Sequence, residues 1–395
     1  MRRVWPITAT ALAALAVVAC SASDDIARPA PSSSATSLSA STPGAVYVMT
    51  NEVAGNRVLV YDRAPDGTLT ASGAFATGGI GSGEFEGSGN GLILGEQSPN
   101  NLNGGYHYLY AVNTGSASIS VFEVTNDGLQ LVEVEPSGGR APISVTVRNK
   151  TLYVLNSDGA QCAGGIPSIA GFTVGAKGTL TPIAGSNRPL STAGNSGCSQ
   201  ISFTKDGDVL IVTERAADVI STYVVDRQTG LATGPTTNQT SGNGPFAFTF
   251  TQRGQLLTAE NSQGAMGLGA VASYDVSRDG ILTPNGPPAR NGRSDTCWIV
   301  NTDDGKLAFV ANAMSGDLSS YAVAPDGTLT LLVPVAASIG PTPADLALSG
   351  NSRYLYARTF QLGTLTVFEV LADGTLIQLQ VIVGIPPGAV GLAAK

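Results

Sequence analysis

Residues 307–332, LAFVANAMSGDLSSYAVAPDGTLTLL, decide how the rest of the chain is read. Apolar residues alternate with small or polar ones over Leu307–Asn312 and again over 318–323, the pattern of β-strands. Asp326-Gly327 then forms a tight hairpin turn, for which glycine supplies the positive φ, and a third strand leaves it. Working outward, the same turn recurs at Asp66-Gly67, Asp127-Gly128, Lys177-Gly178, Thr229-Gly230, Asp279-Gly280 and Asp373-Gly374, at intervals of 61, 50, 52, 50, 47 and 47 residues. Seven recurrences at about 50 residues predict an all-β, seven-bladed β-propeller with four strands per blade.

We letter the strands of a blade A to D from the central channel outward. A strands are expected at 143–147, 199–204, 246–251, 297–301 and 344–348, with a degenerate one within 89–96. B strands are expected at 46–50, 108–113, 151–156, 209–214, 255–260, 307–312 and 354–358. Blade one therefore begins directly with a B strand. The C-terminal run 386–393 reads as its missing A strand, so that the last residues close the ring and leave no long unpaired edge.

Composition agrees with this architecture. The 395 residues include 49 Gly and 22 Pro, and only 13% are charged. The net charge of -8, with no basic run beyond Arg2-Arg3, argues against a nucleic-acid partner, which requires clustered Lys and Arg. Residues 1–20 read as a signal peptide, with Arg2-Arg3 ahead of an apolar segment too short to span a bilayer. That segment ends in Val17-Val18-Ala19-Cys20, which resembles the bacterial lipobox, so Cys20 is the expected lipidation site and the only membrane attachment. Ser21 points, by analogy with Gram-negative sorting, to the outer membrane. The expected location is the cell envelope, on the periplasmic face of that membrane or at the cell surface. Residues 21–44 are Ser-, Ala- and Pro-rich and read as a flexible tether, and the propeller is expected over 45–395.

Strand direction places the B–C loops and D–A connections on one face and the two hairpin turns of each blade on the other. Function is expected on the loop-rich face, because loops on a rigid scaffold carry it. The B-strand ends there carry Asn113, Asn156, Glu214, Glu260, Asn312 and Arg358, and 78–105 is the longest irregular stretch, expected to add to the same rim. Cys162 and Cys198 fall on this face in adjacent blades and are expected to pair as a disulfide in an oxidising compartment. Cys297, beside Trp298, reads as a small buried hydrophobe. With one histidine, His107, in the chain, no Cys/His metal site and no cofactor is expected.

Blades four to seven, with VTERAADVISTYVVD, GPFAFTFTQRG, DTCWIVNTDDG and SYAVAPDGTLTLL, resemble the seven-bladed lactonase family of 6-phosphogluconolactonases and 3-carboxymuconate lactonising enzymes. The resemblance implies a site at the channel mouth in which Arg holds an anionic substrate and His or Glu acts as acid or base. Family enzymes carry Gly-Pro-Arg-His there. Here Gly244-Pro245 is followed by Phe246-Ala247, and the motif His and Arg are missing from every readable blade. Glu214 and Glu260 match the family's strand-B glutamate and are the candidate acid or base. Arg140 and Arg293, just before A strands, are candidate anion clamps with Arg358 and, further, Arg215. Gln200, Asn113, Asn156 and Asn312 complete the candidate binding set.

Two readings stay open. One is a lactone-handling enzyme acting on a sugar acid or small carboxylic acid. The other is a non-catalytic envelope propeller whose uncharged rim binds a small ligand or an envelope protein.

Overall fold

The computed structural model describes residues 44–95 and 108–395. They form seven antiparallel sheets, each of four strands or of four with a split outermost strand. The outer hairpins show why the Asp-Gly-Thr triplet recurs. The Asp66 carboxylate accepts from the Thr68 amide at 3.0 Å and its hydroxyl at 2.7 Å, while Gly67 takes φ 90°. Asp373 does the same for Thr375, at 3.0 and 2.6 Å. Asp caps the turn, Gly supplies its left-handed residue, and Thr starts strand D.

Strands A to C are buried almost throughout, while the D strands alternate between half-buried and exposed residues. The core thus lies between neighbouring blades. Tyrosines bolt several blades to their neighbours: the Tyr153 hydroxyl donates to the Gly230 carbonyl at 2.7 Å, and Tyr354 donates to Pro65 at 2.8 Å.

The ring closes as expected, through a shorter strand that starts six residues later than the expected run and ends one residue beyond it. Strand Leu392–Ala394 pairs antiparallel with Gly44–Met49, in the register Val46 with Ala394 and Val48 with Leu392. Backbone bonds from Val390 to Met49 (3.1 Å) and from Lys395 to Ala45 (2.9 Å) extend the seam.

A second feature is absent from the repeat pattern. Residues 80–86 add to the rim, as expected, bonding to the B–C loops of blades one and two at Glu52 and Gly115. Residues 87–91 then run inside the channel, touching blade after blade before joining blade two as the short A strand Leu92–Leu94. The Asn51 side chain holds the start of this plug through the Ser82 amide and the Glu84 carbonyl, both at 3.0 Å. Phe85 then meets Phe360 of blade seven and Trp298 of blade six. The Ser88 carbonyl accepts from the Trp298 indole at 3.1 Å, Gly89 donates to Ser199 of blade four at 3.1 Å, and Asn90 accepts from Val145 of blade three at 2.9 Å. Glycine is required at the closest approaches: a Cβ on Gly81 would overlap the Asn51 backbone, and one on Gly89 would overlap the Gln200 amide. Cys20 and His107 lie outside the described residues, as does most of the stretch 1–44.

Candidate functional site

The A strands of blades three to seven each carry a β-bulge at their mouth end, between Pro142 and Ser144, Cys198 and Gln200, Pro245 and Phe248, Thr296 and Trp298, and Pro343 and Leu346. A bulge re-aims side chains that strict alternation would bury between blades. In blades five and six it presents Phe246, Cys297 and Trp298 to the channel mouth, where Phe246 and Trp298 pack edge to face, 5.0 Å between centroids. Phe246 stands where the family motif has its Arg, and Ala247, at the His position, lies under Gly89. The residues at these two motif positions, one aromatic and one small, thus lie against the glycine-rich plug.

What remains open is a cavity of about 160 Å³ at the mouth. Its aromatic wall is Phe85, Phe246 and Trp298, and its polar groups are Arg215, Asn261 and Asp295, with Gln161 at the rim. Arg215 opens a single 3-10 turn, Arg215–Ala217, directly after the B strand of blade four. Its carbonyl accepts from Gln263, but among the described residues its guanidinium has no hydrogen-bond or ion-pair partner. Asp295 precedes the blade-six bulge with φ 60° and accepts from the Cys297 thiol at 3.3 Å. Burial, with Asp295 alongside, pushes that thiol well above the usual range, so Cys297 is a neutral donor and not a nucleophile. Asn261 follows the B strand of blade five and anchors its own loop by accepting from the Gln263 amide at 2.9 Å.

A wider cleft of about 570 Å³ adjoins this cavity and shares Phe85 and Gln161 with it. It carries Glu84, Glu86 and Arg140. Burial, opposed by the Ser82 hydroxyl and reinforced by Glu84, raises the Glu86 carboxyl.

The residues expected from the sequence are distributed differently. Neither Glu214 nor Glu260 lines the two cavities at the mouth. The Glu214 carboxylate is fully buried and taken up by the Ser191 amide and hydroxyl (3.2 and 2.8 Å), the Thr192 amide (3.2 Å) and the Ser221 hydroxyl. Glu260 is equally buried, and neither of its oxygens has a hydrogen-bond partner, although Thr240, Tyr274 and the Asn243 amide face it. Burial first, then the nearby Asp218 charge, pushes its carboxyl up to about 8.

The rim asparagines are buried clamps and not an open ring. Asn113 donates to Ser120 (2.7 Å) and Ser118 (3.2 Å) and accepts from Thr77 and Asn56. Asn312 repeats the arrangement with Ser319, Asp317, Thr296 and Asn291. Asn156 donates to the Ser137 carbonyl at 3.2 Å. Gln200 joins the A strands of blades four and five through both backbone groups of Phe248.

Among the arginines, Arg293 is paired with the buried Asp317, and Arg140, 83% exposed, lies 3.4 Å from Asp158. Arg358 corrects the sequence alignment by one residue. The B strand of blade seven ends at Thr359, so Arg358 points to the opposite side. There it is fully buried, with Asp345 close enough to oppose the effect of burial, which takes its guanidinium down to about 10. Cys162 and Cys198 are joined in a disulfide, Cα atoms 5.4 Å apart, which ties the blade-three loop to the mouth of blade four. Among the described residues no group of three potential ligands could hold a metal, and no helix is long and apolar enough to cross a membrane.

The family described as "Lactonase, 7-bladed beta-propeller" matches residues 167–266 and 269–389, more than half of the chain. The chain belongs to this family. Among solved structures, a candidate 6-phosphogluconolactonase from Bacteroides uniformis ATCC 8492 is 19% identical, with TM-score 0.70 over 88% of this chain and 99% of that one. A second from Bacteroides fragilis NCTC 9343 is 18% identical, with TM-score 0.70 and 89% and 98% covered. The periplasmic gluconolactonase of Pseudomonas aeruginosa is 17% identical, with TM-score 0.64 and 88% and 98% covered. At these identities the likeness is one of fold. No curated protein is similar enough in sequence to count as a match.

Arg215 was legible only as a further candidate, and Asn261 and Asp295 were missed. Their signal was positional: Asn261 lies one residue past a B-strand end, and Asp295 one before an A strand, which brackets the mouth.

Proposed function

We propose that this lactonase-family propeller hydrolyses an aldonolactone at the mouth cavity, in a cell envelope to which Cys20 anchors it through a lipid. The observation that carries the reading is the convergence of an unpartnered Arg215 guanidinium, the Asp295 carboxylate and the Asn261 amide on one aromatic-walled cavity of about 160 Å³. That space suits a single sugar ring, and its aromatic wall offers the apolar face of the ring a packing surface. Asp295 takes a proton from the attacking water, while Arg215 stabilises the oxyanion formed as water adds to the lactone carbonyl. The ring C–O bond then breaks, and its oxygen leaves as a hydroxyl with the proton returned by Asp295. The acid so formed releases its proton to solvent, and the product carboxylate remains opposite Arg215. Cys297 and the loop bond of Asn261 fix the geometry.

Family membership and the periplasmic gluconolactonase among the structural neighbours support the same chemistry. Proton release on aldonolactones tests the activity. Arg215→Ala and Asp295→Asn should each lower kcat/KM by at least a hundredfold, while Glu214→Gln should leave it within threefold in protein that is still folded. Incorporation of labelled palmitate, lost in Cys20→Ala, tests the anchor.

The filled channel, with aromatic residues in the motif positions, favours a second reading as a non-catalytic binding propeller. Saturable binding of aldonates without turnover of any lactone would select it.

A further inference from the structure

Resting on the lactone reading of the mouth, we infer that the preferred substrate is an aldonolactone carrying a neutral glycosyl substituent, a disaccharide lactone, and not a phosphorylated one. The inner cavity and the outer cleft share Phe85 and Gln161, so they form one continuous groove. The inner part, about 160 Å³, takes one ring; the outer part, about 570 Å³, takes a second with room for water. Phe85 stands at the junction. Its edge contacts with Phe360 (4.8 Å) and Trp298 (6.1 Å) hold it still, so a sugar can pack on it at little entropic cost.

The charges sort the two parts. The inner part holds Arg215, free to meet the carboxylate that hydrolysis creates. The outer part holds Glu84 and Glu86, and its one cation, Arg140, already lies beside Asp158. Carboxylates accept hydrogen bonds and donate none when ionised, so they suit the hydroxyls of a sugar. A phosphate there would face Glu84 and Glu86 against a single guanidinium already shared with Asp158. Burial of Glu86 beside Glu84 makes the lobe still less tolerant of added negative charge.

The test uses the mature chain from Cys20, in which loss of the signal peptide with Trp5 leaves Trp298, in the inner wall, as the sole tryptophan. Emission is followed during titration with three stable products: gluconate, 6-phosphogluconate and cellobionate, the glucosyl-substituted acid. Cellobionate should bind at least tenfold more tightly than gluconate, and 6-phosphogluconate no more tightly than gluconate. Glu84→Gln should cut the cellobionate advantage below threefold and strengthen 6-phosphogluconate binding at least threefold, with gluconate unchanged. Gluconate binding that depends on Arg215 but gains nothing from the second sugar overturns the inference and leaves the lactone site standing. Tighter binding of 6-phosphogluconate than of cellobionate also overturns it. Failure of all three to perturb Trp298 overturns the lactone site and the inference together.

Discussion

Glu214 ends the B strand of blade four, Glu260 ends that of blade five, and both carboxylates are fully buried. In blade four the long D–A connection folds back so that Ser191 and Thr192 direct two amides and a hydroxyl at Glu214, and Ser221 adds a fourth donor from strand C. In blade five the connection is the short Thr240-Ser241-Gly242-Asn243-Gly244. It closes without aligning a donor on Glu260, whose proton is held by burial instead. The same residue at the same register position is clamped by four donors in one blade and left without a hydrogen-bond partner in the next. A strand end fixes where a carboxyl group sits; the loop above it decides its partners.

The largest effect should come from emptying the clamp. Glu214→Ala strands four donors, at roughly 1.5 kcal/mol for each lost bond to a charged group, so a loss of at least about 5 kcal/mol is expected in urea unfolding.

The next test sharpens the other side of the comparison. Glu260 holds its proton in the folded state up to about pH 8, whereas the unfolded chain releases it near an ordinary Glu value. The folded state therefore binds the extra proton in that window, and stability falls as pH rises through it, by up to about 1.4 kcal/mol per unit. Asp345, pushed up to about 7 by its own burial, adds a slope of the same sign below pH 7. Between pH 5 and 7 the wild type should lose up to about 2.7 kcal/mol per unit, and Glu260→Gln about half of that. Equal slopes in the two proteins would remove Glu260 from the account.

Ser221→Ala withdraws one of the four clamp donors and should cost about 1.5 kcal/mol, with the amides still in place. The smallest effect is expected at Thr240, whose hydroxyl faces Glu260 but is itself unpartnered. Thr240→Ala should change stability by less than about 0.5 kcal/mol, since it breaks no bond. A larger loss would mean that Glu260 is clamped after all.

The repeat was legible because its physics is local. Asp-Gly-Thr caps its own turn, and strand alternation carries the register from one turn to the next, which placed the B strands to within two residues and the closing strand within its expected run but for Ala394. Arg358 was misplaced because Thr359 continues the strand one position past the last apolar alternation, and a one-residue shift changes sides. The plug was illegible for a different reason. Residues 78–91 contain seven glycines and no period, and their conformation is dictated by five blades distant in sequence. Arg215, Asn261 and Asp295 become neighbours only when blades four, five and six meet around the channel, which no spacing within one repeat encodes.

The seam between the chain's two ends has a mechanical meaning. Gly44–Met49 is an inner strand of its sheet, bonded on one side to Arg57–Arg63 and on the other to Leu392–Ala394. A force applied to the chain ahead of Gly44 runs along this strand, so it loads both ladders in shear at once. It does not peel an edge open one bond at a time. A propeller pulled from this end is held at its strongest orientation, and the last three-residue strand of the chain supplies the second ladder of its grip.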